Sequence, residues 1–349
     1  MSNALLDLDV TSRAEKVRFD VVDPAGRAIG ELHPQRPCSI ANDATGQIKR
    51  KLTGFVVTAD EYGDVNPLAD RVKPVWVLDD GTEWPLGTFL FAEASTATWS
   101  YGDVLTATLV DQGLILAQEI DQTVGFAAGT SAAQAIADVF SLAGFHTVAV
   151  SAGSFTLGSP VAWPAGKSGT TYAKIIDDLC SKAGCHPAWF DNQGTPTVRQ
   201  IVDVETATAG YDFRTRTTAG SITTSNDLLI APNRYLAIDT SATTGDVSAV
   251  FDVPDTAPHS YANRGFRITQ VVEAPGVGDV NQAYAAAQAA YTNSPVAYAQ
   301  ATWSSPADPR LDTFDVVRLW DDQNWLSVGW SLVLAPGGPM QHKATRVWR

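Results

Sequence analysis

The sequence predicts a β-rich α+β protein in which two small β-barrel-like domains are interrupted by α+β insertions. Three observations predict it. The first hundred residues alternate apolar and polar side chains between turn signals, helical spacing takes over from about residue 112, and alternation returns after about residue 229. The domains expected are residues 1–111, a first barrel-like unit; 112–228, an α+β domain with a duplicated helix–strand unit; and 229–349, a second barrel-like unit with a helical insertion at about 274–295.

In the first unit, Val17, Phe19 and Val21 share one face of a strand that ends at Asp23-Pro24-Ala25-Gly26, and 27–32 returns as its partner. A second hairpin pairs 74–78 with 84–92 around Asp79-Asp80-Gly81. A third pairs 95–99 with 104–110 around Tyr101-Gly102-Asp103. Successive hairpins suggest a small barrel or sandwich.

The middle unit carries an internal repeat. Residues 130–146 align without gaps on 170–186, matching at Thr130/Thr170, Ala133/Ala173, Ile136/Ile176, Asp138/Asp178, Ser141/Ser181, Ala143/Ala183, Gly144/Gly184 and His146/His186. Each copy opens on a threonine suited to capping a first helical turn and closes on a glycine able to take the left-handed conformation. Ile136, Val139, Phe140 and Ala143, with Ile176, Leu179, Cys180 and Ala183, form two apolar stripes at helical spacing. Strands at 147–150 and 187–190 are expected to follow each helix.

In the last unit, 234–239, 247–252, 267–273, 297–303, 314–320 and 330–334 read as strands. Residues 279–291 are alanine-rich, place Val280, Tyr284, Gln288 and Tyr291 on one side, and end before Pro295, so a helix of about three turns is expected there.

The N-terminus lacks a basic start followed by an apolar block, and no segment approaches the roughly 18 apolar residues of a membrane span, so a soluble chain without a leader is expected. Cys38, Cys180 and Cys185 lack zinc-site spacing and read as reduced core residues. Net charge is −14, and no Lys or Arg falls between Lys73 and Lys167, where Asp79, Asp80, Glu83, Glu93, Asp103, Asp111, Glu119, Asp121 and Asp138 all lie. Such a stretch offers nothing that binds phosphate by releasing counterions. It suits an acidic solvated face or the wall of a duct along which DNA slides.

No catalytic, cofactor-binding or metal-ligating residue is predicted. Ala165-Gly166-Lys167-Ser168 imitates the end of a phosphate loop, but Val161 stands where the loop's first glycine belongs. Among His33, His146, His186, His259 and His342 no two have the i, i+4 spacing of a metal pair. His146 and His186, equivalent in the repeat, are expected to share a structural task near a helix end. The acidic pairs Asp79-Asp80, Asp177-Asp178 and Asp321-Asp322 could serve a hydrolase only if the fold made them face a sugar. Of ten tryptophans, Trp84, Trp99, Trp303, Trp320, Trp325 and Trp330 fall in or beside strands and are expected mainly in cores, with subunit contacts or a glycan face as the alternatives.

Three segments carry a resemblance. Arg71-Val-Lys-Pro74-Val-Trp76 with Trp84-Pro85-Leu86-Gly87-Thr-Phe89-Leu90, then Tyr172 to Arg199 with its Asp191-Asn-Gln-Gly194 turn, then Asp315-Val-Val-Arg-Leu319 with Gly337-Gly-Pro-Met340, occur in an order that resembles the tail-tip and baseplate hub family of tailed phages, including minor tail proteins of phages infecting actinobacteria and the N-terminal part of tail-associated lysins. The resemblance implies a virion protein of the tail tip, assembled in the host cytoplasm as a homotrimer. It implies neighbours such as the distal tail and tape measure proteins, and DNA passing through a central channel without specific binding. It implies a structural role rather than an enzymatic one; a cell-wall or polysaccharide hydrolase and a glycan-binding adhesin are the competing expectations. Larger family members carry a lysin after the hub; with these residues ending at 349, any lytic or receptor-binding activity is expected in other chains.

Overall fold

A computed structural model describes residues 15–63, 65–99, 102–215, 223–225, 231–239, 247–274, 279–292 and 299–346. Strand at 44% against helix at 16% makes the chain a β-rich α+β protein. The expected turn residue Tyr101, the helix-ending Pro295 and the start of the 297–303 strand lie outside the described residues.

The first 111 residues give β1 (Glu15–Val22), β2 (Ala28–Leu32), β3 (Cys38–Asp43), β4 (Arg50–Thr58), a short helix α1 (Ala59–Tyr62), β5 (Arg71–Leu78), β6 (Glu83–Pro85), β7 (Phe89–Trp99) and β8 (Gly102–Asp111). The β1–β2 turn forms because the Asp23 carboxylate accepts the N–H groups of Ala25 and Arg27 at 3.0 and 2.9 Å, while Gly26 takes φ 81°. The single strand expected over 84–92 is broken in two at Gly87, whose φ of 118° ends β6. The third hairpin has its expected pairing, with Ser95 opposite Thr106 and Ala97 opposite Val104.

The insertion contains α2 (Gly113–Leu116), β9 (Val124–Phe126), α3 (Ala132–Leu142), β10 (Ala149–Ser151), β11 (Val161–Trp163), α4 (Tyr172–Ala183), β12 (Trp189–Phe190) and β13 (Pro196–Arg199). Helices α3 and α4 are the repeated helices, and their apolar stripes share one core with Leu116, Phe190 and Val198. A strand follows each helix: β10 lies parallel to β13, and β12 antiparallel to it. The caps fall one residue later than the threonines expected. Thr171 Oγ1 accepts the Lys174 N–H at 3.1 Å, whereas Ser131 makes no side-chain cap bond and its backbone is bridged to Thr156.

The remainder gives β14 (Tyr211–Asp212), β15 (Thr223–Ser225), β16 (Arg234–Asp239), β17 (Val247–Asp252), α5 (Tyr261–Arg264), β18 (Thr269–Glu273), α6 (Val280–Thr292), β19 (Ala299–Pro306), β20 (Val316–Arg318), β21 (Asn324–Leu334) and β22 (Pro339–Arg346). Helix α6 covers one face of the β17-β16-β18 sheet. It buries Ala283 and Ala287 fully; of the four residues read on one side, Tyr291 packs against this core while Val280 and Tyr284 are 61% and 46% exposed. Methyl-sized side chains let the helix axis sit close over Tyr235 and Phe251, which fill the space instead.

The strands at the two ends of the chain belong to one sheet. Its order runs β15-β19-β22-β21-β3-β4-β8-β7-β5-β1-β2, with β6, β14 and β20 on side branches. The junction is β21 against β3, antiparallel from Gly329 opposite Asp43 to Leu334 opposite Cys38. Ile40, Leu52, Phe55, Trp76 and Phe89 therefore share a core with Trp303, Val317, Trp325, Trp330 and Met340. Residues about 290 apart in sequence are held at strand-pairing distance of ~5 Å.

Candidate functional site

The three segments that carry the family resemblance meet at a seam where the insertion docks on the shared sheet. Arg50, 1% exposed, is its pivot: Nη1 donates to the Leu86 carbonyl at 3.1 Å, Nη2 to Asp312 Oδ1 at 2.5 Å, and the guanidinium lies 5.4 Å from the Trp330 ring centroid. A buried guanidinium needs this many partners to offset its lost hydration. Asp111 beside it accepts the N–H groups of Arg50 and Gly113 at 2.8 and 2.9 Å, and burial pushes its carboxyl above the usual range.

The Asp191–Gly194 turn closes the seam from the insertion side. Gln112 Nε2 donates to the Gly194 carbonyl at 2.8 Å, and Asn192 Nδ2 to the Pro309 carbonyl at 3.2 Å. Gly194 has φ 83°, and a Cβ there would run into Thr88 Oγ1. Next to the turn, Trp189 is 1% exposed under the Arg199 guanidinium, 4.7 Å from its ring centroid, and Arg199 Nη2 donates to the Thr313 carbonyl at 3.0 Å. His186 stacks on Phe314 with ring centroids 4.1 Å apart, and burial lowers its imidazole pKa to about 4. Phe314 adopts φ 61°, unusual for an aromatic residue, at the point where 312–315 crosses between the two bodies. Hydrophobic spacing gave no sign of this seam, because Arg50, Trp189 and Asp312 are remote in sequence and none sits in a local motif.

The other singled-out residues are held apart and mostly in structural bonds. Just after the phosphate-loop mimic, the Gly169 N–H donates to the Glu119 carboxylate at 2.9 Å, a group that repels phosphate. His33 lies at the surface beside Glu31 and Glu61, and His146 faces Ser141 at 3.3 Å. His342 is buried with Nε2 2.7 Å from Ser305 Oγ and its ring stacked on Trp303; burial lowers its pKa to about 3. The two repeat histidines thus do different work, His146 at its own helix end and His186 across the seam. Among the described residues no group of three His, Cys, Asp or Glu side chains is placed to hold a metal.

Asp178 accepts from Trp163 Nε1 at 3.0 Å, Asp321 from Trp325 Nε1 at 3.2 Å, and Asp322 pairs with Arg214 at 2.9 Å. Asp79 and Asp80 lie in an exposed turn. Trp76, Trp189, Trp303, Trp325 and Trp330 are buried, and Trp320 is the exposed one among the described side chains, at 39%. The three cysteines are buried and free.

A cleft of about 1460 Å³ opens between α4, the 44–47 turn and α6, lined by Lys49, Asp177, Lys182, Glu273 and Lys343 among others. Its most buried cation is committed: Lys49 Nζ donates to the carbonyls of Ala44 and Gly46 at 2.8 and 2.7 Å. Burial raises the Asp177 carboxyl above its ordinary range, opposed by Lys49. Its neighbour Asp178 lies on the same helix and is bonded to Trp163.

No protein-family model matches the chain, and no curated protein matches it by sequence. Solved structures do. The tail protein from Neisseria meningitidis superposes with a TM-score of 0.66 at 13% identity, covering 95% of this chain and 97% of that one. The 43 kDa tail protein of prophage MuSo2 from Shewanella oneidensis gives 0.62 at 12% identity, over 95% and 98%. A prophage tail protein from Listeria monocytogenes gives 0.60 at 11% identity, over 95% of each chain. From β1 to β22, this chain has the fold of phage tail proteins, the fold that its three ordered sequence segments resemble.

Proposed function

We propose that the chain is a structural subunit of a phage tail tip, with three copies closing a hub ring around a channel for DNA. The observation that carries this reading is the end-to-end likeness to phage tail proteins, over nearly the full length of both partners. The chemistry fits it, since charged groups at the seam are held by other protein groups: Arg50 by Asp312, Arg199 by the Thr313 carbonyl and Asp111 by backbone N–H groups. In this reading 1–111, 112–228 and 229–349 are the three units. The strands of the first and last form two barrel-like halves joined through β3 and β21. Three copies would then present six similar surfaces, able to seat against sixfold tail components, the distal tail and tape measure proteins attaching around the axis. The base-free stretch supplies a wall along which phosphate slides: Asp79, Asp80, Glu83, Glu93, Glu119, Asp121 and Asp138 are all exposed.

The test is genetic and visual. Deleting the gene from the phage that encodes the chain should leave particles with incomplete tail tips, and supplying the protein in trans should restore them. Normal tails without it would refute the proposal. Hydrolysis is tested separately: purified chain should release no sugars or peptides from host cell walls, and release that Asp177→Asn abolishes would replace this reading with the enzymatic one.

A further inference from the structure

We infer that the seam is a joint that acid opens: His186 takes a proton, its stack on Phe314 parts, and the insertion swings away from the shared sheet while the core of each stays folded. The device belongs to the single chain and does not depend on the hub reading.

The two bodies are built to separate cleanly. The core of the insertion and the core of the shared sheet have no residue in common. Between them lies a small apolar cluster, in which Ala44, Trp189 and Phe314 are buried and Leu326 and Val328 pack against them. Trp189 is the insertion's contribution to it. Phe314 meets Trp189 edge-on at 5.3 Å and His186 face-on at 4.1 Å between ring centroids. Its backbone sits at φ 61°, which an aromatic residue keeps only where its surroundings fix it. Losing the imidazole face removes one of the two rings that do so.

Protons can reach the stack. His186 is 7% exposed and lines, together with Phe314, both the cleft of about 1460 Å³ and a second hollow of about 610 Å³ whose walls include Arg199, Asp203, Gly210 and Asp315. These charged neighbours come from β13, from the segment after it and from the crossing segment. Asp315 is already taken, accepting from Arg199 at 3.4 Å and from the Asp312 N–H at 2.8 Å, and Asp203 accepts the Glu205 N–H at 3.2 Å within its own turn. On the cleft side, Asp177 and Lys182 of α4 and Lys343 of β22 mix both signs. Arg199 therefore dominates, and its permanent charge repels an imidazolium. Burial, then Arg199, hold the docked ring near a pKa of about 4, whereas an undocked ring returns to about 6.5. A group whose docked pKa is the lower one supports docking fully above its undocked value and withdraws that support as pH falls. The docking equilibrium should thus weaken about tenfold for each pH unit from 6.5 toward 4.

Hydroxyl-radical footprinting of the full chain at pH 7 and pH 4.5 reads single side chains. Trp189 reports the seam, Trp303 the sheet core beside His342, and Phe140 the insertion core; all three are buried. Oxidation of Trp189 is expected to rise about tenfold or more at pH 4.5, and to fall back in protein returned to pH 7, with Trp303 and Phe140 protected throughout. His186→Phe keeps a ring on Phe314 and takes no proton, so Trp189 should stay protected at both pH values; His146→Phe, at the other repeat position, should behave as wild type. Three results would overturn the joint. One is a wild-type Trp189 that stays protected at pH 4.5, which decides the matter whatever the variants do. Another is simultaneous oxidation of all three reporters, which is unfolding of the whole chain. The last is an undiminished rise in His186→Phe, which would hand the titration to a carboxylate such as Asp315.

Discussion

The two copies of the repeat begin alike and end differently. Both supply a helix whose apolar stripe enters one core, and α3 and α4 each bury five residues. Beyond the shared glycine they part. Position 149 is an exposed Ala in the first copy, and its counterpart 189 is a buried Trp; His146 faces Ser141 near the surface, and His186 stacks on Phe314. A single local pattern thus builds a peripheral half and an anchoring half, and only the anchoring half fixes the insertion to the sheet. The shared pattern sets the secondary structure, while a few divergent side chains decide which copy carries the load between bodies.

The largest effect that sharpens this contrast is expected at Trp189. Trp189→Ala removes a fully buried indole and should cost about 3–5 kcal/mol in denaturant unfolding, while Ala149→Ser at the equivalent exposed position should change stability by roughly 0.5 kcal/mol or less. Equal effects would dissolve the distinction between the copies.

Acid comes next. His186 and His342 have folded-state pKa values lowered by burial to about 4 and about 3, against about 6.5 when unfolded. Below pH 6.5 the unfolded chain gains protons that the folded chain refuses, so the stability these groups contribute is complete above pH 6.5 and falls as pH drops toward 4. The loss per histidine is about 1.4 kcal/mol for each pH unit in that window. Denaturation midpoints at pH 7 and pH 5 measure it. His186→Phe keeps the stack and should flatten the slope by one proton; an unchanged slope would contradict the assignment.

His186→Ala at neutral pH should cost roughly 1–2 kcal/mol through the lost aromatic stack, and His146→Ala close to nothing. The smallest contrast lies at the caps. Thr171→Ala loses the bond from Lys174 N and should cost about 1 kcal/mol, whereas Ser131→Ala loses no such bond and should cost less. Thermal melts of the paired variants decide both.

The pattern of local structure was legible because it depends on neighbours in sequence. The hairpin at 95–110, the repeated helices and the strands 234–239 and 247–252 all follow from spacing and turn residues. Strands β3 and β4 escaped because polar residues such as Asn42, Arg50 and Lys51 interrupt their alternation, Asn42 and Arg50 being buried by partners from the far end of the chain. The join of β3 to β21 escaped for the same reason: strand register between segments so distant is set by the assembled core, not by either segment. Helix α6 was legible from its alanine-rich spacing, but which residues it buries was not, because Ala283 and Ala287 sit against Tyr235 and Phe251 only in the assembled core. The seam was marked only indirectly, by the three ordered segments that turn out to meet there.

The most direct test of the account is a three-dimensional reconstruction of the tail tip containing this chain. The account predicts three copies around the tail axis, each joined head-to-tail to the next and enclosing an acidic passage. A tail tip whose ring is built without this chain, or a single copy lying off the axis with its cleft turned toward the host surface, would contradict it.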